Sequence, residues 1–437
     1  MDIEGYARRH IDDPMVVEKL AERILDFKDV DTDYAKKLAE AVVFEVRNAY
    51  SKRMYLLDYY KSGVTMGKFG VGSRGSGDFY VHSKIAEMCG NAVISSRDLD
   101  DAGVVRVGDH FISVSIDGIH SRLSEFPFIA GFHVARAAMR DVLVMGAMPV
   151  ALFSDIHIAD DGDVSKIFDH IAGITTVGEL ANTPLIAGST LRIGGDMVIG
   201  ERMTGAVGCV GVSKHLTPRR NAKKGDAIIM TSGAGGGTIA TTAIYYGKHD
   251  IVEETINLDF IFAAKALINS ELIREIHSMS DVTNGGVRGD AQEIAKACGY
   301  ALYFDTERIR KLVNEKVMKM LDELQIDFLG VSIDSLMIIC PDKIAENVLE
   351  TIKSSGVKAD VVGWVESGEG VFSVEGERIE PLKPRFRESA YTPIKKLVGE
   401  EKPENYQEMV KQIDIAFEKA IEKKRRVLER LKRKIPA

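Results

Sequence analysis

The sequence predicts an α/β fold built as two successive units, with helical segments added at both ends. Three observations carry this. Between about Ile94 and Val212, apolar β-type runs (VVRV, HFISVSI, PVALFSDIHI, PLIAG, RMTGAVGCVGV) alternate with helical stretches such as FIAGFHVARAAMRDVLVMG and DVSKIFDHIAGITTVGELA. A second segment opens at KKGDAIIMTSGAGGG, runs through ALYFD, DSLMIICP and KADVVGWV, and echoes the first order of elements. Both ends carry helical spacing: Val16, Val17, Leu20, Ile24 and Leu25, then Ala35, Leu38, Ala39, Val42, Val43 and Val46, and finally the charged run after Glu404. The chain therefore divides at 1–62, 63–215, 216–395 and 396–437.

Each segment has its own reason. The second amino-terminal helix starts at a cap supplied by Asp31 or Thr32. At Gly63 the composition changes: GVTMGKFGVGSRGSGD carries six glycines and two basic residues, Lys68 and Arg74, and is expected to form neither helix nor strand. Around Pro393 the α/β pattern stops. In the last helix Ile413, Phe417, Ile421 and Leu428 form an apolar stripe expected to pack on the body or a partner. Its end, from Lys423 to Arg433, is strongly basic, which suits either a solvated face or binding of RNA or an acidic partner.

With 437 residues, 28% of them charged and 45% hydrophobic, the chain has core enough for two or three domains and is not disordered, collagenous or a disulfide scaffold. Its net charge of −8 argues against a dedicated nucleic-acid binder, though not against a local basic site. The four cysteines form no C-x-x-C pair and are expected to be buried free thiols, as in a reducing cytosol. With no apolar run of about 18 residues and no apolar signal region, the sequence reads as a cytoplasmic protein.

Four places offer chemistry. Asp100-Asp101 precedes a strand, either as a magnesium-binding turn or as a solvated one. Asp117 ends an apolar strand, at a cleft rim or in an ordinary turn. Asp141 lies inside an apolar helix and needs a cation or donors, with Arg136 or Arg140 as structural candidates. SDVTNGGVRGDAQEIA joins an acidic turn to a helix start that either favours anions or is simply capped. Two other signals are weaker. SGAGGGT lacks both the final glycine of a dinucleotide loop and a Walker lysine. SDIHIADDGD fits no metal spacing and reads as an exposed acidic loop.

Taken in order, DDAGVV, VSIDGIH, FPFIAGFHVARAAMRDVLVMGAMPVAL, PLIAGST, TGAVGCVGV, LTPRRNAKKGDAIIMT and SDVTNGGVRGDAQEIA resemble one ATP-dependent superfamily over roughly residues 63 to 390. It contains aminoimidazole ribonucleotide (AIR) synthetase, selenophosphate synthetase, thiamine-monophosphate kinase and the carbamoyl-dehydrating hydrogenase maturation protein. The spacing looks most like selenophosphate synthetase. The resemblance implies a two-domain AIR-synthetase-like α/β fold, a homodimer, and ATP with Mg²⁺ near its interface. It implies metal roles for Asp100, Asp101, Asp117 and Asp141. Asp141 and Lys68 would act in catalysis, and Lys68, Gly70 and Gly72 would belong to a mobile loop over the phosphates. Gly188, Ser189 and Thr190 would lie near the nucleotide, and Asp281, Thr283, Asn284 and Gly285 would form a substrate-facing turn.

The departures shape the functional expectation. Selenophosphate synthetases carry a cysteine or selenocysteine in the glycine-rich segment, and here there is none; the family's Gly-Gly-Asp or Gly-Gly-His segment has become Ala187-Gly188-Ser189-Thr190. The sequence thus predicts an ATP- and Mg²⁺-dependent kinase or synthetase that activates an unidentified small molecule through a phosphorylated intermediate or product. The alternative is a nucleotide-responsive binding protein with little catalysis.

Overall fold

The computed structural model describes every residue except 53, 74, 121, 284, 388, 389 and 434–437. The chain opens with three helices, α1 (Ile3–Arg9), α2 (Val16–Leu25) and α3 (Thr32–Ala49). Asp31 is the cap of α3, its carboxylate accepting from the Tyr34 N–H at 2.7 Å. The expected apolar faces of α2 and α3 meet in a small core of their own with Ile199. Lys28 fastens this bundle to the body through Asp160 and Asp161, both at 2.5 Å. The acidic loop expected to be exposed is therefore half-buried at these two residues, because the helical segment docks on it.

The glycine-rich run also corrects its expectation. Residues 66–69 form a short helix, α4 (Met66–Phe69), and α5 (Ser76–Met88) begins inside the run. The glycines serve close packing here. A Cβ on Gly77 would stand 2.0 Å from the Phe69 carbonyl oxygen, so only glycine lets α5 pass there.

Among the described residues two sheets carry the fold. The first holds β1 (Gly103–Val107), β2 (His110–Gly118), β3 (Met148–Ile158), β4 (Leu185–Arg192) and β5 (Met203–Ser213) in the order β1-β2-β5-β3-β4, antiparallel apart from β3 and β4. Helices α6 (Pro127–Val144) and α7 (Ser165–Leu180) cover one face. On the other face Val105, Val107, Val114 and Ile116 are exposed, Ile116 by 65%.

The second sheet has the order β12-β11-β8-β10-β6-β9-β7, drawn from β6 (Asp226–Thr231), β7 (Ser278–Val282), β8 (Ala301–Asp305), β9 (Ser335–Pro341), β10 (Ala359–Glu366), β11 (Val371–Glu375) and β12 (Arg378–Pro381). Both its faces are covered over β6, β7 and β9, while Trp364 on β10 stays 42% exposed. On one lie α9 (Asp259–Ile268) and α13 (Ala345–Ser354). On the other lie α10 (Gly286–Cys298), α11 (Thr306–Leu312) and α12 (Glu315–Glu323), while α8 (Gly237–Tyr245) packs at the seam. Helix α6 touches the first sheet, α7 and α9, which explains its all-round apolar sequence. A single core thus spans both sheets, and a polar residue on α6 lies between them.

The chain ends with α14 (Pro393–Val398) and α15 (Tyr406–Lys432). The expected stripe packs over its first part: Ile413 and Phe417 share a cleft with Val81 and Ile85 of α5, while Leu428 stays 45% exposed. Tyr406 stacks on Phe69 with ring centroids 5.3 Å apart, and Tyr80 donates to Asp414 at 2.5 Å. No helix among the described residues is long and apolar enough to cross a membrane. The four cysteines are free; Cys209 and Cys340 are buried, whereas Cys89 and Cys298 are half-buried.

Candidate functional site

A cavity of about 890 Å³ opens where the two sheets meet, walled by the turn before β1, by α5, by α6 and by α10. Asp100 and Asp101 end that turn and line the cavity, and Asp141 lines it from α6. Asp117 lies near the end of β2, and strand alternation puts it on the α6 face with Ser113 and Ser115. Asp281 comes from β7 in the second sheet and is buried, with Arg140 Nε at 3.6 Å.

Electrostatics bind these acids into one group. Burial raises the Asp141 carboxyl well above its usual range, and Asp117, Asp281 and Asp101 each raise it further against the pull of Arg140. Asp101 is pushed up to about 8, by burial first, with Asp281, Glu293 and Asp100 adding to it and Arg219 opposing. Burial raises Asp100 as well, and its Oδ2 is buried without a hydrogen-bond partner. Like charges gathered in a low-dielectric pocket stay ionised only when a cation joins them.

One cation is already there. Arg219, from the turn before β6, is buried and donates to Asp101 Oδ1 at 2.6 Å, Glu293 Oε2 at 2.5 Å, the Leu99 carbonyl at 2.5 Å and Ser280 Oγ at 2.9 Å. Its backbone N–H donates to Asp100 at 2.7 Å. Among the described residues no group of three or more His, Cys, Asp or Glu side chains is arranged as it stands to hold a metal ion. The donor set is nevertheless hard oxygen throughout, which suits Mg²⁺ together with phosphate oxygens.

Two family models match the chain: the N-terminal domain of AIR synthase related proteins over residues 99–213 and the C-terminal domain over residues 223–375. The chain belongs to the AIR synthase related family. It is 54% identical, over 99% of its length and 98% of the relative, to an uncharacterized protein of Methanocaldococcus jannaschii. It is 30% identical to selenide, water dikinase of Geobacter metallireducens over 48% of this chain and 61% of that protein. The expected relation to selenophosphate synthetase therefore holds. Among solved structures, AaThiL complexed with AMPPCP and TMP matches with a TM-score of 0.55 and 18% identity, over 70% or more of each chain: 71% of this one and 96% of that one. The expected AIR-synthase-like α/β fold is the fold observed.

Within this family fold the other candidate residues separate. Thr283 and Gly285 lie just after Asp281, at the start of α10, and Asn284 lies outside the described residues. The Thr283 N–H donates to Asp290 at 3.0 Å, so the turn is capped from within its own helix. Gly285 and Gly286 both take positive φ, and a Cβ on Gly286 would stand 2.4 Å from the Leu329 carbonyl oxygen. Gly188, Ser189 and Thr190 lie on the exposed edge strand β4. Gly188 shares a row with Asp117 through Val207 and Ser154, three strand spacings or about 14 Å away.

Lys68, Gly70 and Gly72 do not line the cavity. Lys68 is exposed, and its carbonyl oxygen accepts from Arg387 at 2.7 Å. Gly70 ends α4, and the Gly72 N–H donates to Asp78 at 2.9 Å. From this part of the chain it is α5 that reaches the cavity, through Phe79, His82, Ser83 and Ile85.

Arg136 and Arg140, the structural candidates for Asp141, bond chiefly to another acid, although Arg140 still acts on Asp141 through its charge. Both pair with the buried Asp334, Arg136 at 2.5 Å. The SGAGGGT loop belongs to this ion pair, since Arg136 donates to the Gly235 carbonyl at 3.1 Å. Sequence reasoning missed Arg219, Ser280 and Glu293. Their only signal was position: Arg219 lies in LTPRRNAKKGD, Ser280 directly precedes Asp281, and Glu293 follows two helical turns after the Gly-Gly step.

Proposed function

We propose that this chain is an ATP- and Mg²⁺-dependent enzyme that transfers a phosphoryl group to a small molecule, through a phosphorylated intermediate or product. The observation that carries the reading is the convergence of Asp100, Asp101 and Asp141 on one cavity, with Asp117 and Asp281 electrostatically coupled to them from both sheets. The cavity has the volume of a nucleotide-sized site. The selenide, water dikinase relative and the AaThiL structure with its nucleotide analogue support it by likeness.

Asp101, Asp117 and Asp141 would hold Mg²⁺, which supplies charge neutralisation to the phosphate oxygens when bound. The rest falls to the chain itself. Phe79 and Ile85 offer an apolar wall to the nucleobase. Lys296 lines the opposite side, within reach of an anionic group. The α5 wall would exclude water, and the Tyr80–Asp414 hydrogen bond ties it to α15. A homodimer through the open face of the first sheet completes the proposal, because it would bury Val105, Val107, Val114 and Ile116.

The experiment is titration calorimetry of ATP with and without Mg²⁺ on the wild type and on Asp141→Asn, followed by a metabolite screen for ATP-dependent phosphate release. Mg²⁺-dependent binding that Asp141→Asn weakens at least tenfold, together with an acceptor that triggers release, is the expected outcome. Unchanged affinity in both Asp141→Asn and Asp101→Asn would remove the site assignment. Tight binding with no turnover on any metabolite would favour the nucleotide-responsive binding protein instead. The pinning of the glycine-rich segment, where Tyr406 of α15 stacks on Phe69 and Arg387 donates to the Lys68 carbonyl, is the feature that speaks for that second reading.

A further inference from the structure

A second cavity, of about 840 Å³, lies away from the aspartates, between residues 55–60 and the last turns of α15. Its walls differ in kind. One is aromatic: Tyr55, Tyr59 and Tyr60 line it and are 42%, 70% and 43% exposed. A tight turn, with the Leu57 and Asp58 N–H groups both donating to the Met54 carbonyl, holds this segment in place. The other wall is basic, formed by Lys419, Lys423, Lys424 and Arg426.

The positive charge on this wall is left over after internal pairing. Glu422 is shared by Lys419 and Arg426. Lys423 and Lys424 donate to the carbonyl oxygens of Asp58 and Met88, which orients them and neutralises neither. From Lys419 to Arg433 the helix carries eight basic side chains against two acidic ones, in a chain whose net charge is −8. A folded acidic protein that keeps a basic groove beside three exposed tyrosines presents complementarity to a polyanion with flat apolar faces.

We propose that this groove binds single-stranded RNA. Unstacked bases would lie on the tyrosine rings while the phosphates follow Lys419, Lys423, Lys424 and Arg426, the combination that serves single strands without strict sequence preference. A duplex keeps its bases stacked and offers the tyrosines nothing. Asp58 lines the same groove, and its carboxylate would accept from a ribose 2′-hydroxyl, a group that DNA lacks. The proposal is independent of the aspartate site and would stand if that site proved inactive.

The test is fluorescence anisotropy of a labelled oligouridine dodecamer titrated with the full chain at about 50 and about 200 mM salt. Saturable binding that weakens with salt is expected. The double variant Tyr59→Ala/Tyr60→Ala should weaken it about tenfold or more, whereas Tyr59→Phe/Tyr60→Phe should keep it, since stacking needs the ring and not the hydroxyl. Lys424→Gln should reduce the slope of log K against log salt by about 0.7, one phosphate contact. Circular dichroism melting of each variant guards against misfolding, and the phenylalanine pair keeps the comparison informative if the alanine pair is unstable. Three outcomes would overturn the proposal: no saturable binding, equal affinity for the matching DNA strand, or affinity unmoved by the tyrosines. Self-association of the chain through these same residues would do so as well.

Discussion

The Arg219 guanidinium donates to the Asp101 carboxylate at 2.6 Å, and with this bond the turn that leads into the second sheet closes over the turn that leads into the first. The same side chain reaches Glu293 on α10. Arg219 thus does two things at once: it ties the halves together, and it supplies the cation that Asp101 and its neighbours need. Removing one partner of a buried pair leaves an unpaired charge and typically costs about 3–5 kcal/mol. Arg219→Met should lose stability on that scale in denaturant unfolding. If the carboxylates form a cation site, millimolar Mg²⁺ should restore part of the loss and raise the melting temperature of the variant more than that of the wild type. Equal Mg²⁺ shifts in the two proteins would make Arg219 a structural clamp and nothing more.

The open face of the first sheet leads to the second expectation. Val105, Val107, Val114 and Ile116 stand on one face of two adjacent antiparallel strands. They are 41–65% exposed, so covering them is worth roughly 1 kcal/mol each, about half of what full burial gives. Light scattering at micromolar concentration should give about twice the chain mass of 48.0 kDa. Ile116→Asp should return the monomer mass without unfolding the chain. A wild-type monomer at that concentration would leave the face without its proposed partner.

Much of this architecture was legible in the sequence, and the parts that were not share a cause. The strands of the first sheet and helix α7 follow from periodicity, and α6 follows from a long apolar run, because it is buried on all sides. Asp141 was legible as a carboxylate in an apolar helix. Its surroundings were not: Arg136 and Arg140 are its neighbours in sequence, yet both face Asp334, brought to them by the second sheet. Arg219 looked like any surface arginine because its partners, Asp101 and Glu293, are distant in the chain. The glycine-rich run read as irregular because composition does not show which glycines mark turns and which make room for Phe69 and Phe386. Pairing between distant segments decides all of these, and periodicity carries no record of it.

His120, three residues after Asp117, gives a pH signature. Thr241 Oγ donates to the Gly237 carbonyl at 2.7 Å and stands 3.1 Å from His120 Nδ1. The ring therefore donates from Nδ1 to Thr241 and accepts at Nε2 from the Tyr391 hydroxyl, 2.8 Å away. That is the neutral ring, and burial, with Lys395 and Arg122 nearby, lowers its pKa from 6.5 to about 4. Below pH 6.5 the unfolded chain takes up a proton that the folded chain refuses until about pH 4, so stability falls as pH drops through this window. The full effect is about 3 kcal/mol. Urea unfolding of His120→Gln at several pH values should show a shallower decline than the wild type between pH 6.5 and 4. Parallel curves would mean that His120 is protonated in the folded protein.

The last expectation concerns the chemistry that the selenium relatives perform. Their resemblance places a cysteine or selenocysteine in the glycine-rich segment, and between Gly63 and Asp78 this chain has no thiol, its hydroxyl side chains being Thr65, Ser73 and Ser76. A hydroxyl is far weaker than a thiolate near neutral pH and needs an adjacent base to attack. Ser76 opens α5, with its backbone N–H donating to the Arg385 carbonyl at 3.3 Å, and it is absent from the lining of the aspartate cavity. Cys89 lies at the far end of α5, half-buried, with its thiol donating to the Ile85 carbonyl at 3.4 Å and accepting from Ser96 at 3.9 Å. Neither position puts a ready nucleophile beside Asp101 and Asp141. With ATP, Mg²⁺ and selenide, phosphorus NMR should therefore show no selenophosphate beyond a reaction lacking the protein, while the same preparation still binds ATP. Selenophosphate formed at a rate matching a cysteine-containing relative would overturn this, and Cys89→Ser would then show whether the half-buried thiol had supplied the missing sulfur.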